Sequence, residues 1–277
     1  MMTGRIIFYR PSPAVVPVSI TGARCELDCP HCRGRYLSGM VKASMPTDLI
    51  RAFIAAGRRG ARRVLITGGF TRSGRLPVES MISAIEEGKR RTGMMVSMHG
   101  GLLDARVMER AAKAGVDTML LDVIGSQHTV TCYLGGDWSL KDYEAALSNA
   151  GSRFQLLAPH VLIGIEHGKV FGEYSAVDMI SESNPGACAI LVITNGETPD
   201  SADVSRVMKY ARERLKSHLT LGCMRGRGNA RLMYEKMAVD LGFNGIANPS
   251  QETLGYARGA GLEFVCVDDC CVHMPTI

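Results

Sequence analysis

Three cysteines near the start of the chain are close enough in sequence to bind one metal centre. They are Cys25, Cys29 and Cys32, in the pattern C-x3-C-x2-C. A structural zinc site needs four ligands, and no second C-x2-C pair is present. A thioredoxin-like redox pair would use Cys29 and Cys32 but would leave Cys25 without a role. The third interpretation, which the spacing favours, is a [4Fe–4S] cluster held by three thiolates, with one iron free to bind a small molecule.

The sequence as a whole predicts a single-domain α/β fold. Short apolar runs alternate with amphipathic stretches, and such alternation indicates a parallel sheet. The predicted strands are 15–20, 63–67, 95–98, 118–123, 157–164, 189–194, 219–223 and 244–248. The predicted helices are 46–60, 78–93, 103–115, 140–151, 201–215, 230–242 and 250–261. Eight strands in such alternation with helices, within roughly 250 residues, are typical of a (β/α)8 TIM-like barrel. We assign the barrel to residues 1–261 and a C-terminal strand and Cys-rich tail to residues 262–277.

Composition narrows the class of protein. The 277 residues are 46% apolar and 21% charged, with a net charge of +5, which is ordinary for a globular enzyme. The short Arg-rich stretches fit exposed helix faces, so no nucleic-acid partner is expected. The sequence has no apolar run of about 18 residues and no signal-peptide pattern, so we expect a cytoplasmic protein without a membrane span. Nine cysteines in that compartment favour metal or redox chemistry over disulfides.

Polar and glycine-rich segments follow the predicted strands. In a barrel of this kind the chemistry lies at the carboxyl ends of the strands. Besides the cysteine loop, these segments are Thr67-Gly68-Gly69, His99-Gly100-Gly101, Asp122, Gly164 to His167, Asn195-Gly196, Cys223-Met224-Arg225 and Asn248-Pro249. Alone, each glycine is equally typical of a tight turn, and Asp122 of a helix cap. Together they predict a binding site at one rim.

The cysteine spacing, placed after the first predicted barrel strand, resembles that of the radical S-adenosylmethionine (SAM) superfamily. This resemblance implies that SAM chelates the open iron of a cluster on Cys25, Cys29 and Cys32. It also implies that reductive cleavage of SAM yields a 5′-deoxyadenosyl radical, which abstracts hydrogen from an unactivated carbon. An electron donor such as ferredoxin or flavodoxin is then a partner. His31 occupies a position that is often aromatic in the family.

Further segments resemble the SAM-binding segments of this family. In ITGGF, Gly68 and Gly69 match a Gly-Gly-Glu segment whose backbone meets the methionyl amino group, although Phe70 replaces the acidic residue. In HVLIGIEH, Gly164 matches a looser pattern near the adenine. TNGETP is similar to a Gly-Thr-Pro segment of biotin-synthase-like members. The resemblance thus implies adenine contacts from Asn195 and Thr198 and a ribose contact from Asp122.

A second group of cysteines lies near the C-terminus. The run at 262–267 is predicted to form an added strand outside the barrel, which would return Cys270 and Cys271 to the rim beside Cys223. Three thiols in one place predict an auxiliary [4Fe–4S] cluster, and the alternative is an inert tail. Candidates for further ligands are His273, Cys266 and Arg225. Cys132 and Cys188 are expected to be packing residues.

Four segments resemble a particular group in the biotin-synthase-related branch, the smaller subunit of two-component lipoyl synthases. They are PVSITGARCELDCPHC, LGCMRGRG, YEKMAVDLGFNGIANPSQET and the vicinal cysteines of the tail, with Gly226 where the group is expected to have Pro. The resemblance implies sulfur insertion into a protein-bound octanoyl chain, with the auxiliary cluster as sulfur source. It also implies a second radical SAM subunit and an octanoylated carrier domain as partners.

Several alternatives stay open at this point. Arg225, Arg227 and Arg231 would either receive an acidic carrier domain or be plain surface charge. The chain could instead catalyse another radical SAM reaction of cofactor biosynthesis, such as methyl transfer or ring formation. Two non-catalytic functions are a cluster-carrying partner subunit and a zinc-binding structural module.

Overall fold

The computed structural model describes residues 4–194 and 197–274, in which strands and helices alternate. The strands are β1 (Arg5–Tyr9), β2 (Val15–Ser19), β3 (Val41–Lys42), β4 (Arg63–Thr67), β5 (Met95–His99), β6 (Thr118–Val123), β7 (Leu156–Ile163), β8 (Ala187–Val192), β9 (His218–Leu221), β10 (Gly245–Ala247) and β11 (Glu263–Val267). The α-helices are α1 (Pro46–Arg58), α2 (Ile82–Thr92), α3 (Ala105–Lys113), α4 (Leu140–Gly151), α5 (Glu173–Ser183), α6 (Ser201–Arg214), α7 (Gly228–Asp240) and α8 (Gln251–Gly259).

The predicted α/β fold is confirmed. Neighbouring strands pair in parallel throughout the pairings that the described residues form. Among these strands and α-helices, three were not predicted: β1, the two-residue β3 and helix α5. The run RIIFY of β1 is short and lacks alternation, and the polar sequence EYSAVDMISES of α5 obscures its buried stripe. The division of the chain at residue 261 stays a prediction.

The chain divides into two compact units. One, here called the cysteine-loop unit, comprises residues 13–122 and 127–159. The other, here called the tail unit, comprises residues 123–126 and 160–274 together with the described residues before residue 13.

Within the cysteine-loop unit the strands follow the order β6-β5-β4-β2-β3. Helix α1 begins with Pro46, whose fixed φ and missing N–H suit the first helical turn. It buries Leu49 and Phe53, both 0% exposed. Gly88 of α2 lets the Phe53 ring approach, because a Cβ there would lie 2.5 Å from the ring. These contacts pack α1 closely against α2.

Within the tail unit the order is β11-β1-β10-β9-β8-β7. Every residue of β8 is buried, as expected for a strand covered on both faces. Asp200 caps the N-terminus of helix α6, because its carboxylate accepts hydrogen bonds from the N–H groups of Ala202 and Asp203. Strand β11 pairs with β1 in parallel, from Arg5↔Glu263 to Tyr9↔Val267. The chain after β11 therefore emerges at the same end as the carboxyl ends of β9 and β10.

No helix in the described part of the chain combines the length and apolar character that crossing a membrane requires.

Candidate metal centres

The first candidate centre is the loop between β2 and β3, which carries three cysteines. A tight turn closes the loop, because the N–H groups of Cys32 and Arg33 both donate to the Cys29 carbonyl, at 3.0 and 2.8 Å. Asp28 and Arg33 adopt positive φ values of 41° and 46°. The turn brings the Cys29 and Cys32 thiols into hydrogen-bond contact. Cys29 is 7% exposed, so the loop directs this thiol inward.

The electrostatics of this loop favour a thiolate. The hydrogen bond from Cys29 outweighs the effect of burial and, with help from His31, lowers the pKa of Cys32 to about 4. The same contact and burial raise the pKa of Cys29. The shared negative charge therefore rests on Cys32 at neutral pH. A thiolate is the form of cysteine that binds metals.

The second predicted segment, Gly68-Gly69, lies directly against the first cysteine. A Cβ on Gly69 would lie 2.0 Å from the Arg24 carbonyl oxygen and 2.4 Å from the Cα of Cys25. The Gly69 N–H donates to Oγ1 of Thr21 at 2.7 Å. Only glycine fits this approach, so the loop after β4 and the cysteine loop form one packed surface.

Phe70 and Glu26 join these two loops from the other side. The N–H of Glu26 donates to the Phe70 carbonyl at 2.9 Å, and the Cys25 thiol lies 3.8 Å from the same oxygen. The Phe70 ring meets the His99 ring edge-on, with 5.8 Å between centroids. Phe70 thus places an apolar side chain at the position where the matching Gly-Gly-Glu segment has a carboxylate.

Asp122 pairs with His99 in this unit. Its Oδ2 lies 3.2 Å from Nε2 of His99. Burial lowers the pKa of His99, but the charge and hydrogen bond of Asp122 outweigh it, and the net direction is upward. The next helical segments begin after His128 and Ser139. Asp122 therefore caps neither of them, and its carboxylate is held beside an imidazole.

A π-helix at Thr129–Tyr133 covers His31 of the cysteine loop. The His31 and Tyr133 rings stack with 6.1 Å between centroids and 14° between planes. Such π-helical turns are frequent at functional sites. Cys132, in the same turn, is exposed, so the expectation that it packs in the core is wrong. Cys188 of β8 is buried and does pack there.

The distances between the cysteine sulfurs can be compared with those expected around a single zinc ion. Four ligands about 2.3 Å from one zinc ion lie less than 4.8 Å from one another. Among the described residues, no three cysteine sulfurs lie that close together.

In the tail unit, two predicted SAM-binding segments pack together. Gly164 has a φ of +78°, and a Cβ there would lie 2.3 Å from the Pro199 ring. Gly168 approaches the carbonyl of Glu197 in the same way. Glu173 fixes this loop by accepting the N–H of Gly164 at 2.8 Å. Thr198 lies between Glu197 and Pro199, whereas Asn195 falls outside the described residues.

The second candidate centre gathers the remaining predicted thiols in the tail unit. Cys223 follows β9, and Cys270 and Cys271 follow β11. Cys270 is hydrogen-bonded to Cys271 and to His273. Although Cys223 has an exposed side chain, the protein atoms around it desolvate the thiol and raise its pKa, and Cys270 raises it further. The three cysteines therefore lie together.

A buried polar pair lies beside this second centre. The Tyr9 hydroxyl and Nε2 of His218 are 2.8 Å apart. Burial raises the pKa of Tyr9, and Cys271 and Cys270 raise it further, so the hydroxyl stays neutral next to the thiols. Burial and Arg212 lower the pKa of His218 to about 4, which keeps its ring neutral as well.

Arg225 does not lie on the surface. It is 4% exposed, and its guanidinium contacts Oε1 of Glu235, which is fully buried, at 2.5 Å. It also donates to the carbonyls of Gly222 and Asn248, at 2.7 and 2.9 Å. The suggestion that Arg225 receives a carrier domain is therefore wrong. Arg225 instead ties the loop that carries Cys223 to the loop after β10.

Glu235 was not singled out from the sequence, although its i,i+4 spacing from Arg231 was a usable signal. Burial raises the pKa of Glu235, but hydrogen bonds from Thr253, Arg231, Ser250 and Arg225 outweigh it and lower the pKa to about 2.

We expect Glu235→Ala to lower the free energy of unfolding by about 3–5 kcal/mol, because it leaves the Arg225 charge buried and unpaired.

The dependence of stability on pH tests whether Glu235 is an ionised carboxylate paired with the buried Arg225. A carboxylate with a depressed pKa stabilises the fold above its unfolded value of 4.5 and loses that contribution as the pH falls toward 2. The stability difference between wild type and Glu235→Gln, measured by urea unfolding, should thus be largest above pH 4.5 and shrink below it. Glu109→Gln, which removes an exposed partner of Lys113, is the matched control and should leave stability unchanged. A pH-independent difference for Glu235→Gln would contradict the assignment.

Comparisons with known proteins agree with the α/β fold and identify the family. The radical SAM superfamily model matches residues 19–166, more than half of the chain. Methylornithine synthase (PylB) has a similar structure, with a TM-score of 0.59 and 12% identity over 94% of this chain and 84% of that one. HydG, a maturase of the [FeFe]-hydrogenase, has a TM-score of 0.58 and 12% identity over 88% and 57%. Streptococcus suis SuiB bound to S-adenosylmethionine has a TM-score of 0.59 and 14% identity over 82% and 50%.

The chain belongs to the radical SAM superfamily. Membership implies a [4Fe–4S] cluster that works with SAM, and radical chemistry started by reductive cleavage of SAM. The chain spans about half the length of HydG and SuiB, and the low identities to these structures show a shared fold only. No curated protein matches the sequence.

Proposed function

We propose that Cys25, Cys29 and Cys32 hold the SAM-binding [4Fe–4S] cluster. The turn that brings Cys29 and Cys32 together, and the lowered pKa of Cys32, support this ligand set. Three thiolates leave one iron for the amino and carboxylate groups of SAM. When bound and reduced, the cluster with SAM supplies a 5′-deoxyadenosyl radical.

The residues around this loop orient SAM and exclude water. The Gly68-Gly69 backbone packs on the first cysteine and offers peptide groups to the methionyl amino group. Phe70 keeps this side apolar, and the His99–Asp122 pair provides a carboxylate for the ribose hydroxyls.

We infer that the reaction is sulfur insertion into a protein-bound octanoyl chain, as in a lipoyl synthase subunit. The observation that supports it is the convergence of Cys223, Cys270 and Cys271. An octanoyl methylene has no acidic proton, so only radical abstraction activates it. An auxiliary [4Fe–4S] cluster on these thiols would be the sulfur-donating substrate. The expected partners are a second radical SAM subunit, an octanoylated carrier domain and a ferredoxin or flavodoxin.

The test is an anaerobic assay with SAM, a low-potential reductant and an octanoyl-lysyl carrier domain, with and without a second radical SAM subunit. Two C–H bonds are replaced by two C–S bonds, so two molecules of 5′-deoxyadenosine are expected per lipoyl group. The Cys223/Cys270/Cys271→Ala variant should still cleave SAM but form no C–S bond. The matched control is Cys266→Ala, at an exposed position on β11, which should form product normally.

Two results of this assay would contradict sulfur insertion and favour a different function. SAM cleavage without any sulfur product would favour another radical SAM reaction of cofactor biosynthesis. A chain that binds iron but releases no 5′-deoxyadenosine under any of these conditions would instead be a cluster-carrying partner.

A further inference from the structure

We propose that His273 is the fourth protein ligand of the auxiliary cluster, alongside Cys223, Cys270 and Cys271. This inference rests on the proposed function, which places a cluster at these cysteines. It assigns a mixed Cys3His ligand set, in which the fourth iron is held by a nitrogen donor.

The contacts in the tail place the imidazole among the thiols. After β11 the chain turns back on itself, and the His273 N–H donates to the Cys270 carbonyl at 3.1 Å. The His273 side chain is hydrogen-bonded to Cys270, which also contacts Cys271. His273 is 9% exposed, so its ring faces the protein. Three donor groups therefore meet at Cys270, and Cys223 lies near the same thiol.

Asp269 is placed as the partner of a metal-bound histidine. Histidine ligands usually present their other ring nitrogen to a carboxylate or carbonyl, which fixes the ring. Oδ1 of Asp269 lies 3.6 Å from Nδ1 of His273. The same oxygen accepts the Cys270 N–H at 2.7 Å, which fixes the carboxylate. With Nδ1 on the Asp269 side, Nε2 would be the nitrogen that donates its lone pair to iron, with no change in oxidation state.

The other candidate ligands are engaged or directed elsewhere. Arg225 is held by Glu235 and two carbonyls. Cys266 is exposed and lies within β11, in register with Phe8. The Tyr9 hydroxyl is paired with His218. Of the three candidates His273, Cys266 and Arg225, His273 is the one whose side chain is hydrogen-bonded to a thiol of the group, that of Cys270.

The experiment uses the full chain with Cys25, Cys29 and Cys32 replaced by alanine, so that only the auxiliary cluster remains. The protein is labelled with 15N-histidine, reconstituted anaerobically, reduced and measured by pulsed EPR. The expected result is a strongly coupled histidine nitrogen in this parent variant. The coupling should disappear in His273→Gln and persist in the matched control His167→Gln, because His167 is exposed in the same unit.

A second readout follows iron release to a chelator. Asp269→Asn should release iron about tenfold faster than the parent variant, as is usual when the carboxylate behind a histidine ligand is removed. Its neighbour Asp268 pairs with the exposed Arg10 instead, so Asp268→Asn should release iron at the parent rate.

A parent variant that holds a cluster without histidine coupling, or coupling that survives His273→Gln, would overturn the His273 assignment alone. A parent variant that holds no iron would overturn the auxiliary cluster as well, and with it the sulfur-insertion proposal. The two failures are thus distinguishable.

Discussion

Replacing Cys29 with alanine is expected to abolish the first cluster and reduce SAM cleavage to background. Cys29 is the most buried of the three thiols in its loop and contacts Cys32 directly. A cluster with three protein thiolates has no spare ligand, so loss of one should release its iron. The measurement is 5′-deoxyadenosine formed per chain, with iron content determined on the same sample.

The matched control is Cys188→Ala, which removes a thiol that is also buried but lies on β8. It should cost about 1 kcal/mol of stability, because it removes one buried sulfur atom, and leave the iron content unchanged. Full 5′-deoxyadenosine formation by Cys29→Ala would contradict the ligand assignment.

Adding a single methyl group at Gly69 is expected to have a nearly equal effect. In Gly69→Ala the new Cβ would lie 2.0 Å from the Arg24 carbonyl oxygen and 2.4 Å from the Cα of Cys25. Both are backbone atoms, so the cysteine loop must move. We expect a loss of about 1–3 kcal/mol in unfolding free energy, typical of overpacking, together with loss of SAM cleavage.

Gly39→Ala provides the comparison. Gly39 lies in the loop between β2 and β3 that carries the three cysteines, and a Cβ there would meet no atom within 4 Å. This variant should bind SAM and cleave it at the wild-type rate, as measured by equilibrium dialysis and product formation. Equal behaviour of the two alanine variants would show that the approach of Gly69 to Cys25 is unimportant.

The fold was largely predictable because its signals are local. Strands such as β8, buried on both faces, appear as continuous apolar runs, and helices such as α1 carry a regular apolar stripe and a start signal. The juxtaposition of Gly69 and Cys25 also followed from topology, since β2 and β4 are parallel neighbours whose carboxyl ends meet.

The rest depends on tertiary contacts that leave weak sequence signals. Arg225 and Glu235 are ten positions apart, and only the folded loops show that this arginine is buried. A free cysteine usually packs as a small apolar side chain, yet Cys132 is exposed in the π-helical turn. The placement of His273 depends on the parallel pairing of β11 with β1, which brings the tail to Cys223.

The most direct test of the central claim is the iron and acid-labile sulfide content after anaerobic reconstitution. It compares wild type with the Cys25/Cys29/Cys32→Ala variant. We expect about eight irons per chain in wild type and about four in the variant, since each [4Fe–4S] cluster holds four. Equal iron contents in the two proteins would contradict a cluster at these three cysteines.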